Sequence, residues 1–241
     1  MKLPSDQDCE QDRDCVFAIA SRLLQYPDAE LLGCLEDVER IVAGLPRRIR
    51  QPLLDLVAML RTTPLLELQA SYVETFDLRR RNSLYLTYAR AGDTRGRGNA
   101  LVRFAQLYRK RGYSIEGGEL ADFLPALLEL AALANPDDRE PFEMLVEHRA
   151  EIGLLRASLE SDQSPYADVL KAVEYALPRP NQKVVEATRR LIEDGPPEEQ
   201  VGVVPDFVWQ GRGEECPAAG EFDPTLEDEA AEAELAMEAR R

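Results

Sequence analysis

The sequence predicts an all-α fold, a single-domain bundle of about eight to ten helices with an acidic C-terminal tail. Apolar residues recur at spacings of three and four through most of residues 15–194, the period of a helix buried on one face. Capping residues, prolines and glycines separate these periodic stretches. Only the stretch from Leu84 to Tyr88 has the aromatic and β-branched content of a strand. Because helices are predicted on both sides of it, we interpret it as helical.

The composition is that of a soluble globular protein with an unusual charge. The 241 residues are 44% hydrophobic and 31% charged, which suits one or two domains with a sizeable core. The formal net charge is −16, yet residues 77–111 hold ten Lys and Arg against two Asp and Glu. A strongly acidic field disfavours nucleic acids and anionic membranes and attracts basic partners. We therefore expect no nucleic-acid partner.

Composition also divides the chain into three parts. Residues 1–14 are interpreted as a polar N-terminal arm, residues 15–194 as the helical domain, and residues 195–241 as an acidic, disordered tail. The N-terminal residues lack the apolar core of a signal peptide, and no apolar run approaches the ~20 residues that span a bilayer. We predict a cytoplasmic protein that does not insert into a membrane.

The first two helices have recognisable boundaries. Apolar periodicity predicts the first helix from Asp14 to Tyr26, and Pro27 stops it. Asp28 is placed to cap the second helix, and Gly44 closes that helix.

Prolines mark the start of the next helices. A third helix is expected to begin near Pro52, because proline fits the first turn of a helix. Thr63 is expected to cap a fourth helix, with Pro64 at its first position. Further along, Asp93 or Thr94 is expected to cap the helix that follows the glycine-rich turn.

The second half of the chain predicts four more helices. Asp122 is expected to cap the first of them, which places Pro125 in its first turn. A long helix is expected between residues 137 and 159, and Ser164-Pro165 is expected to start another. Asn181 is expected to cap the last helix.

Catalytic chemistry finds little support in the sequence. His148, the one histidine, shares the apolar stripe of its helix, which predicts a packed core side chain rather than a base. No nucleophile elbow, H-E-x-x-H pair or phosphate loop is present in the sequence. Cys9, Cys15, Cys34 and Cys216 lack metal-ligand spacing, so we predict reduced thiols, no metal and no cofactor.

The glycine-rich turn at residues 92–98 leaves nucleotide binding open as the alternative function. A helix N-terminus binds phosphate, and Arg95 and Arg97 add positive charge. The glycine spacing matches neither a dinucleotide fingerprint nor a phosphate loop, so a helix-connecting turn is favoured. In that turn the arginines would bond helix-end carbonyls or carboxylates such as Asp93.

Acidic and apolar residues are combined around Pro125. If a helix starts at Asp122, then Asp122 and Glu129 lie two turns apart on one face, with Leu124 and Leu128 beside them. One interpretation is a surface on which these acidic and apolar side chains act together. The alternative, which the residues alone favour, is that Asp122 only caps the helix and the leucines belong to the core.

Five separated stretches of the sequence carry a family resemblance: Ser21–Asp28, Tyr72–Asp77, Ser83-Leu84, Gly92–Gly98 and Glu119–Glu129. In this order they resemble the NarJ-type chaperones of respiratory nitrate reductase, which belong with the TorD and DmsD redox-enzyme maturation chaperones. The last stretch departs from the family at Ala121, where Pro is common, and at Phe123, where His is common. The resemblance covers about residues 15–193.

The resemblance implies an all-helical, TorD-like chaperone rather than an enzyme. Its client would be the catalytic subunit of a membrane-bound nitrate reductase, bound in the apo form through an amphipathic, basic N-terminal leader. The chaperone would keep the client open for insertion of the molybdenum cofactor and delay its docking to the membrane. It would need no cofactor of its own.

The resemblance also places a leader-binding groove at the acidic, proline-bearing motif. The expected contact residues combine apolar side chains for burial with carboxylates for basic residues, as in helix-in-groove recognition. They are Phe76, Leu84, Tyr85, Glu119, Asp122, Leu124, Pro125, Leu128 and Glu129. Asp93, Arg95 and Arg97 are expected to build the turn or to contact an anion.

Overall fold

The computed structural model describes residues 6–91, 96–115 and 118–194, and these residues form an all-α bundle. They contain eleven α-helical segments and no strand, against the eight to ten helices expected. The segments are α1 (Asp6–Leu23), α2 (Ala29–Gly44), α3 (Arg47–Thr62), α4 (Leu65–Tyr72), α5 (Tyr88–Ala91), α6 (Gly96–Arg109), α7 (Leu124–Leu133), α8 (Glu140–Glu147), α9 (Arg149–Ser161), α10 (Ala167–Ala176) and α11 (Gln182–Asp194).

The core is built around α1. This helix packs on α7 and α10, and α3 and α9 contact α10 from its other sides. Phe17 and Leu23 of α1 are fully buried, as are Leu127 and Leu128 of α7. Burying side chains of this size stabilises the fold by roughly 1.5–3 kcal/mol each. The predicted apolar stripes are therefore confirmed as the bundle interior.

Two of the predicted helix caps are confirmed. Oδ1 of Asp28 accepts a hydrogen bond of 2.6 Å from the backbone N–H of Leu31, and α2 ends at Gly44. Oδ1 of Asn181 accepts a bond of 3.0 Å from the N–H of Val184 at the start of α11. In both cases a short polar side chain satisfies an N–H group that the helix itself leaves unpaired.

The predicted starts of the first and third helices are wrong. α1 begins at Asp6, inside the stretch expected to be an arm, and ends at Leu23. α3 begins at Arg47, and Pro52 lies inside it. Pro46 stands just before this helix, where its carbonyl accepts the N–H groups of two residues in the first turn. Pro46, and not Pro52, therefore marks the start of α3.

Two further capping predictions are wrong. The hydroxyl of Thr63 donates to the carbonyl of Met59 at 2.8 Å, so Thr63 closes α3 instead of opening α4. Ser164 does not cap α10 with its side chain: the N-cap position is Tyr166, and Ser164 contributes only its backbone carbonyl, which accepts the N–H of Ala167 at 3.1 Å. Threonine and serine hydroxyls can accept a hydrogen bond from an N–H group at a helix start or donate one to a carbonyl at a helix end. Sequence spacing does not distinguish these two roles.

His148 divides the long helix predicted between residues 137 and 159 into α8 and α9. Its φ and ψ of −94° and 19° depart from helical values. Its Nδ1 lies 3.0 Å from the carbonyl of Met144, and its ring centroid lies 5.0 Å from that of Phe104. The side chain is 7% exposed, which confirms the prediction of a packed histidine.

We expect Leu128→Ala to lower the free energy of unfolding by about 2–5 kcal/mol, because it leaves a cavity in the core. The matched control is Leu133→Ala, in the same helix, at a residue that is 64% exposed. That change should cost less than about 0.5 kcal/mol. Urea denaturation measures both, and equal losses would contradict the placement of Leu128 in the core.

Candidate functional site

The stretch from Leu84 to Thr87 is not helical, so the predicted helical conformation is wrong there; it bends at Leu84, pairs at Tyr85 and turns at Leu86 and Thr87 before α5 begins. It lies antiparallel to the residues that precede α7, with Tyr85 opposite Phe123. The N–H of Leu86 donates to the carbonyl of Asp122 at 3.0 Å, and the N–H of Leu124 donates to the carbonyl of Leu84 at 2.9 Å. Its strand-like composition is therefore used in one short backbone pairing.

Asp122 holds this pairing with its side chain. Its buried Oδ2 accepts hydrogen bonds from the N–H of Thr87 at 3.0 Å and from the Thr87 hydroxyl at 2.5 Å. Arg97 reaches the same group: its Nη2 lies 3.5 Å from Oδ2, and its Nε donates to the Thr87 hydroxyl at 3.1 Å. A buried carboxylate is stable only when hydrogen bonds and a cation compensate its lost hydration.

Asp122 therefore does not cap α7. The N-cap position is Phe123, which makes no side-chain cap, while Pro125 does lie in the first turn as predicted. Asp122 precedes the helix, so it does not share a helical face with Glu129. The alternative that Leu124 and Leu128 belong to the core is confirmed, since both are fully buried.

A cleft of about 280 Å³ opens between the end of α1, the end of α4 and the two segments that pair at Tyr85 and Phe123. Its walls are mainly aromatic rings, and the ring centroids of Tyr72 and Phe76 lie 4.7 Å apart while those of Tyr26 and Tyr72 lie 5.5 Å apart. Tyr26 is 46% exposed at the mouth. The cleft is lined by Gln25, Tyr26, Tyr72, Phe76, Asp77, Leu84, Tyr85, Glu119 and Phe123. We call it the aromatic cleft.

Two carboxylates give the aromatic cleft a negative charge. Asp77 is exposed, and Glu119 is half-buried. The hydroxyl of Tyr85 donates to Oε1 of Glu119 at 2.5 Å. Burial and then this hydrogen bond raise the pKa of Tyr85 above its usual value, so the phenol stays protonated and keeps donating. The carboxylate of Glu119 is thereby held at the wall of the cleft.

Buried contacts also hold the aromatic rings of this region in place. The hydroxyl of Tyr72 donates to the carbonyl of Leu24 at 2.8 Å, which ties the end of α4 to the end of α1. The ring centroid of Tyr166 lies 5.0 Å from that of Phe76 at an interplanar angle of 68°. Burial raises the pKa of Tyr166 to about 12. Edge-to-face packing of this kind gives the cleft a rigid floor.

The structure divides the predicted contact residues into three groups. Phe76, Leu84, Tyr85 and Glu119 line the aromatic cleft. Asp122, Leu124, Pro125 and Leu128 are buried beneath it or within α7. Glu129 is exposed on α7 and does not line the cleft.

Sequence reasoning missed five residues that line the aromatic cleft, and each had some signal. Gln25 and Tyr26 stand in the N-terminal stretch that resembles the family, and Tyr72 begins and Asp77 ends the next such stretch. Phe123 is one of the two positions at which the chain departs from the family. Their spatial meeting depends on tertiary contacts between α1, α4 and the segment before α7, which local patterns do not specify.

The proposed anion-binding turn is described only in part. Asp93 and Arg95 lie outside the described residues, as does Thr94. Arg97 is directed to internal partners, namely Thr87 and Asp122, and its guanidinium carbon lies 5.6 Å from the ring centroids of both Tyr85 and Tyr88. This residue therefore acts in positioning the site walls.

Within residues 6–91, 96–115 and 118–194, no group of three or more His, Cys, Asp or Glu side chains is arranged to hold a metal ion. In the same part of the chain, no helix combines the length and the apolar character needed to cross a bilayer.

The described residues have an all-helical fold that is known from another protein. A solved structure of a protein assigned to redox enzyme maturation, from Archaeoglobus fulgidus, superposes with a TM-score of 0.50. The match covers 73% of this chain and 96% of the other at 20% sequence identity, so it concerns the fold alone.

The chain belongs to the nitrate reductase delta subunit family, whose sequence model matches residues 43–172. It is 33% identical over 168 residues to the Bacillus subtilis (strain 168) protein named "Probable nitrate reductase molybdenum cofactor assembly chaperone NarJ", covering 69% of this chain and 90% of that protein. It is 40% identical over 164 residues to the nitrate reductase-like protein NarX of Mycobacterium tuberculosis (strain ATCC 25618 / H37Rv), covering 66% of this chain. That match spans 24% of the length of NarX.

We expect Asp122→Asn to lower the free energy of unfolding by about 2–4 kcal/mol, because it removes the buried negative charge that lies 3.5 Å from Arg97. Thr87→Ser is the control, since it keeps the hydroxyl that bonds Asp122 and should cost less than about 1 kcal/mol. Guanidinium denaturation measures both variants. A loss below about 0.5 kcal/mol for Asp122→Asn would show that this ion pair does not hold the segment.

Proposed function

We propose that this protein is an assembly chaperone for nitrate reductase that acts before the molybdenum cofactor is inserted. Membership of the nitrate reductase delta subunit family supports this function. The Bacillus subtilis relative, whose name states that role, matches over 90% of its own length. The client is the catalytic subunit of the reductase in its apo form.

We further propose that the aromatic cleft binds the N-terminal leader of that subunit. The observation that carries this proposal is the combination of exposed or half-buried rings with two carboxylates in one concave surface. A basic, amphipathic segment matches it, because apolar side chains bury against the rings while cationic side chains meet Asp77 and Glu119. Rings also attract cations directly through their negative faces.

The size of the cleft favours a transient complex. A volume of about 280 Å³ admits a few side chains rather than a folded domain. Interfaces that bury less than roughly 1,200 Å² are typical of short-lived encounters. Weak binding suits a chaperone, because the leader must leave once the client is mature.

The buried members of the predicted set have a supporting role in this proposal. Asp122 holds the segment that carries Leu84 and Tyr85, and Leu124 and Leu128 hold α7 beneath it. A change at any of them would alter the cleft indirectly. Glu129 lies outside the cleft, so the proposal assigns it no contact with the leader.

Binding to the immature client also explains how such a protein acts. A chaperone that binds the apo form and not the mature form stabilises the apo form by mass action. While it occupies the leader, it blocks other contacts of that segment, including those that dock the client to the membrane. Once the molybdenum cofactor is inserted, the client is no longer in the apo form that the chaperone binds, and the chaperone is released.

We expect the double variant Asp77→Asn with Glu119→Gln to bind a leader-like peptide at least tenfold more weakly than wild type, a loss of about 1.4 kcal/mol. The peptide is a 15-residue amphipathic segment with two arginines, and calorimetry at low salt measures its affinity. Added salt should weaken wild-type binding more than variant binding, because it screens the removed charges.

Three controls separate contact from general effects. Glu129→Gln removes one charge outside the cleft and should leave the affinity unchanged. Tyr26→Ala removes an exposed ring at the mouth and should weaken binding without unfolding the protein. A peptide with glutamine in place of both arginines should bind equally to wild type and to the double variant. If Glu129→Gln weakens binding as much as the double variant, the cleft is not the site.

In cells that lack this protein, we expect the catalytic subunit to accumulate with little bound molybdenum. Wild-type protein should restore the metal content, and the Asp77→Asn, Glu119→Gln double variant should restore less. Metal analysis of the purified subunit, compared at equal subunit amounts, makes this measurement. A full molybdenum content in the absence of the protein would contradict the assembly function.

A further inference from the structure

A second pocket, separate from the aromatic cleft, lies between α9, α11 and residues 80–89. Its volume is about 210 Å³, close to the size of one long side chain. Leu154, Leu155 and Ile192 give it apolar walls, and Tyr88 adds a ring. One acidic residue of α9, Glu151, also lines it. We call it the α9 pocket.

Glu151 is a buried carboxylate whose charge is only partly compensated. The residue is 3% exposed. Its Oε1 lies 2.5 Å from Nη2 of Arg90, whose side chain is 57% exposed. Its Oε2 has no hydrogen-bond partner among the described residues. A buried ion normally gains several hydrogen bonds in return for its lost hydration, so this group retains capacity for a donor.

The other carboxylate that lines this pocket, that of Asp162, already has two partners. Asp162 accepts a hydrogen bond of 2.8 Å from Nδ2 of Asn82 and lies 2.9 Å from Nη1 of Arg79. These contacts tie the turn after α4 to the end of α9, and they lower the pKa of Asp162. Glu151 is therefore the acidic group of the pocket that still lacks donors.

We propose that the α9 pocket binds a single guanidinium or ammonium group carried on an aliphatic stem. The cation would donate to Oε2 of Glu151, and the stem would lie against Leu154, Leu155 and Ile192. A side chain of arginine or lysine has this chemistry and fits the volume. The proposal concerns a site separate from the aromatic cleft and does not depend on leader binding there.

The mouth of the pocket restricts which cations fit. Arg80 and Arg81 both line it, so a ligand with a second positive charge would be repelled there. The ligand should therefore carry one cation, with a neutral or anionic remainder. A basic side chain within a polypeptide meets this requirement. A free basic amino acid is the second source of the same group; its carboxylate would meet the arginines, but they would repel its α-ammonium.

The test uses Nα-acetyl-arginine methylamide with the full chain. Its matched neutral analogue is Nα-acetyl-citrulline methylamide, which has nearly the same shape without the charge. Titrations followed by backbone amide shifts of isotope-labelled protein give both affinities. We expect saturable shifts at residues of α9 and α11 with the arginine compound. The citrulline compound should bind at least tenfold more weakly.

Protein variants then assign the cation to Glu151. Glu151→Gln should weaken binding of the arginine compound at least tenfold. Glu147→Gln, the same change in an exposed residue of α8, should leave that affinity unaltered. Arg90→Ala should tighten binding several-fold, because it removes the competing guanidinium; this result is informative even if Glu151→Gln fails to fold.

The sources are separated by free arginine. Tighter binding of the blocked compound than of free arginine assigns the ligand to a polypeptide side chain, and the reverse order assigns it to the free amino acid. Equal binding of the citrulline compound would overturn the proposal, as would unchanged affinity in both Glu151→Gln and Arg90→Ala. Shifts confined to the aromatic cleft would also overturn it.

Discussion

The arrangement of the site depends on one buried carboxylate, that of Asp122. It accepts two hydrogen bonds from Thr87 and lies within 3.5 Å of Arg97, and so joins three parts of the chain that are distant in sequence. Those parts are the turn just before α5, the start of α6 and the residue that precedes α7. Because an uncompensated carboxylate cannot remain buried, the three parts are held together or the charge must return to water.

The consequence of this constraint is a concave surface beside the segment that Asp122 holds. This segment presents Tyr85 both to the aromatic cleft and to the α9 pocket. Helical packing supplies the remaining walls, since α1 and α4 bring their aromatic ends together through the bond from Tyr72 to the carbonyl of Leu24. The cleft thus combines rigid rings, an open mouth and carboxylates, which is the chemistry that the proposed leader requires.

Sequence reasoning predicted the helical class and most of the core, because both depend on periodic apolar residues that are read locally. It failed where a residue has two uses with the same spacing. Thr63 and Ser164 fit helix starts, yet the hydroxyl of Thr63 donates to a carbonyl of the preceding helix. Ser164 contributes only its backbone carbonyl to the next helix. Asp122 fits an N-cap, yet its partner Thr87 is 35 residues away in sequence. The aromatic cleft was found in part, through Phe76, Leu84, Tyr85 and Glu119, because the family resemblance marked the segments but not their three-dimensional meeting.

The central claim is that a basic, apolar segment is bound between the rings of the aromatic cleft. The most direct measurement is a set of intermolecular nuclear Overhauser effects between an isotope-labelled leader-like peptide and the unlabelled full chain. The account predicts contacts from apolar peptide side chains to the rings of Tyr26 and Phe123, with a basic side chain of the peptide beside Glu119. Contacts confined to the exposed face of α7 around Glu129 would contradict it.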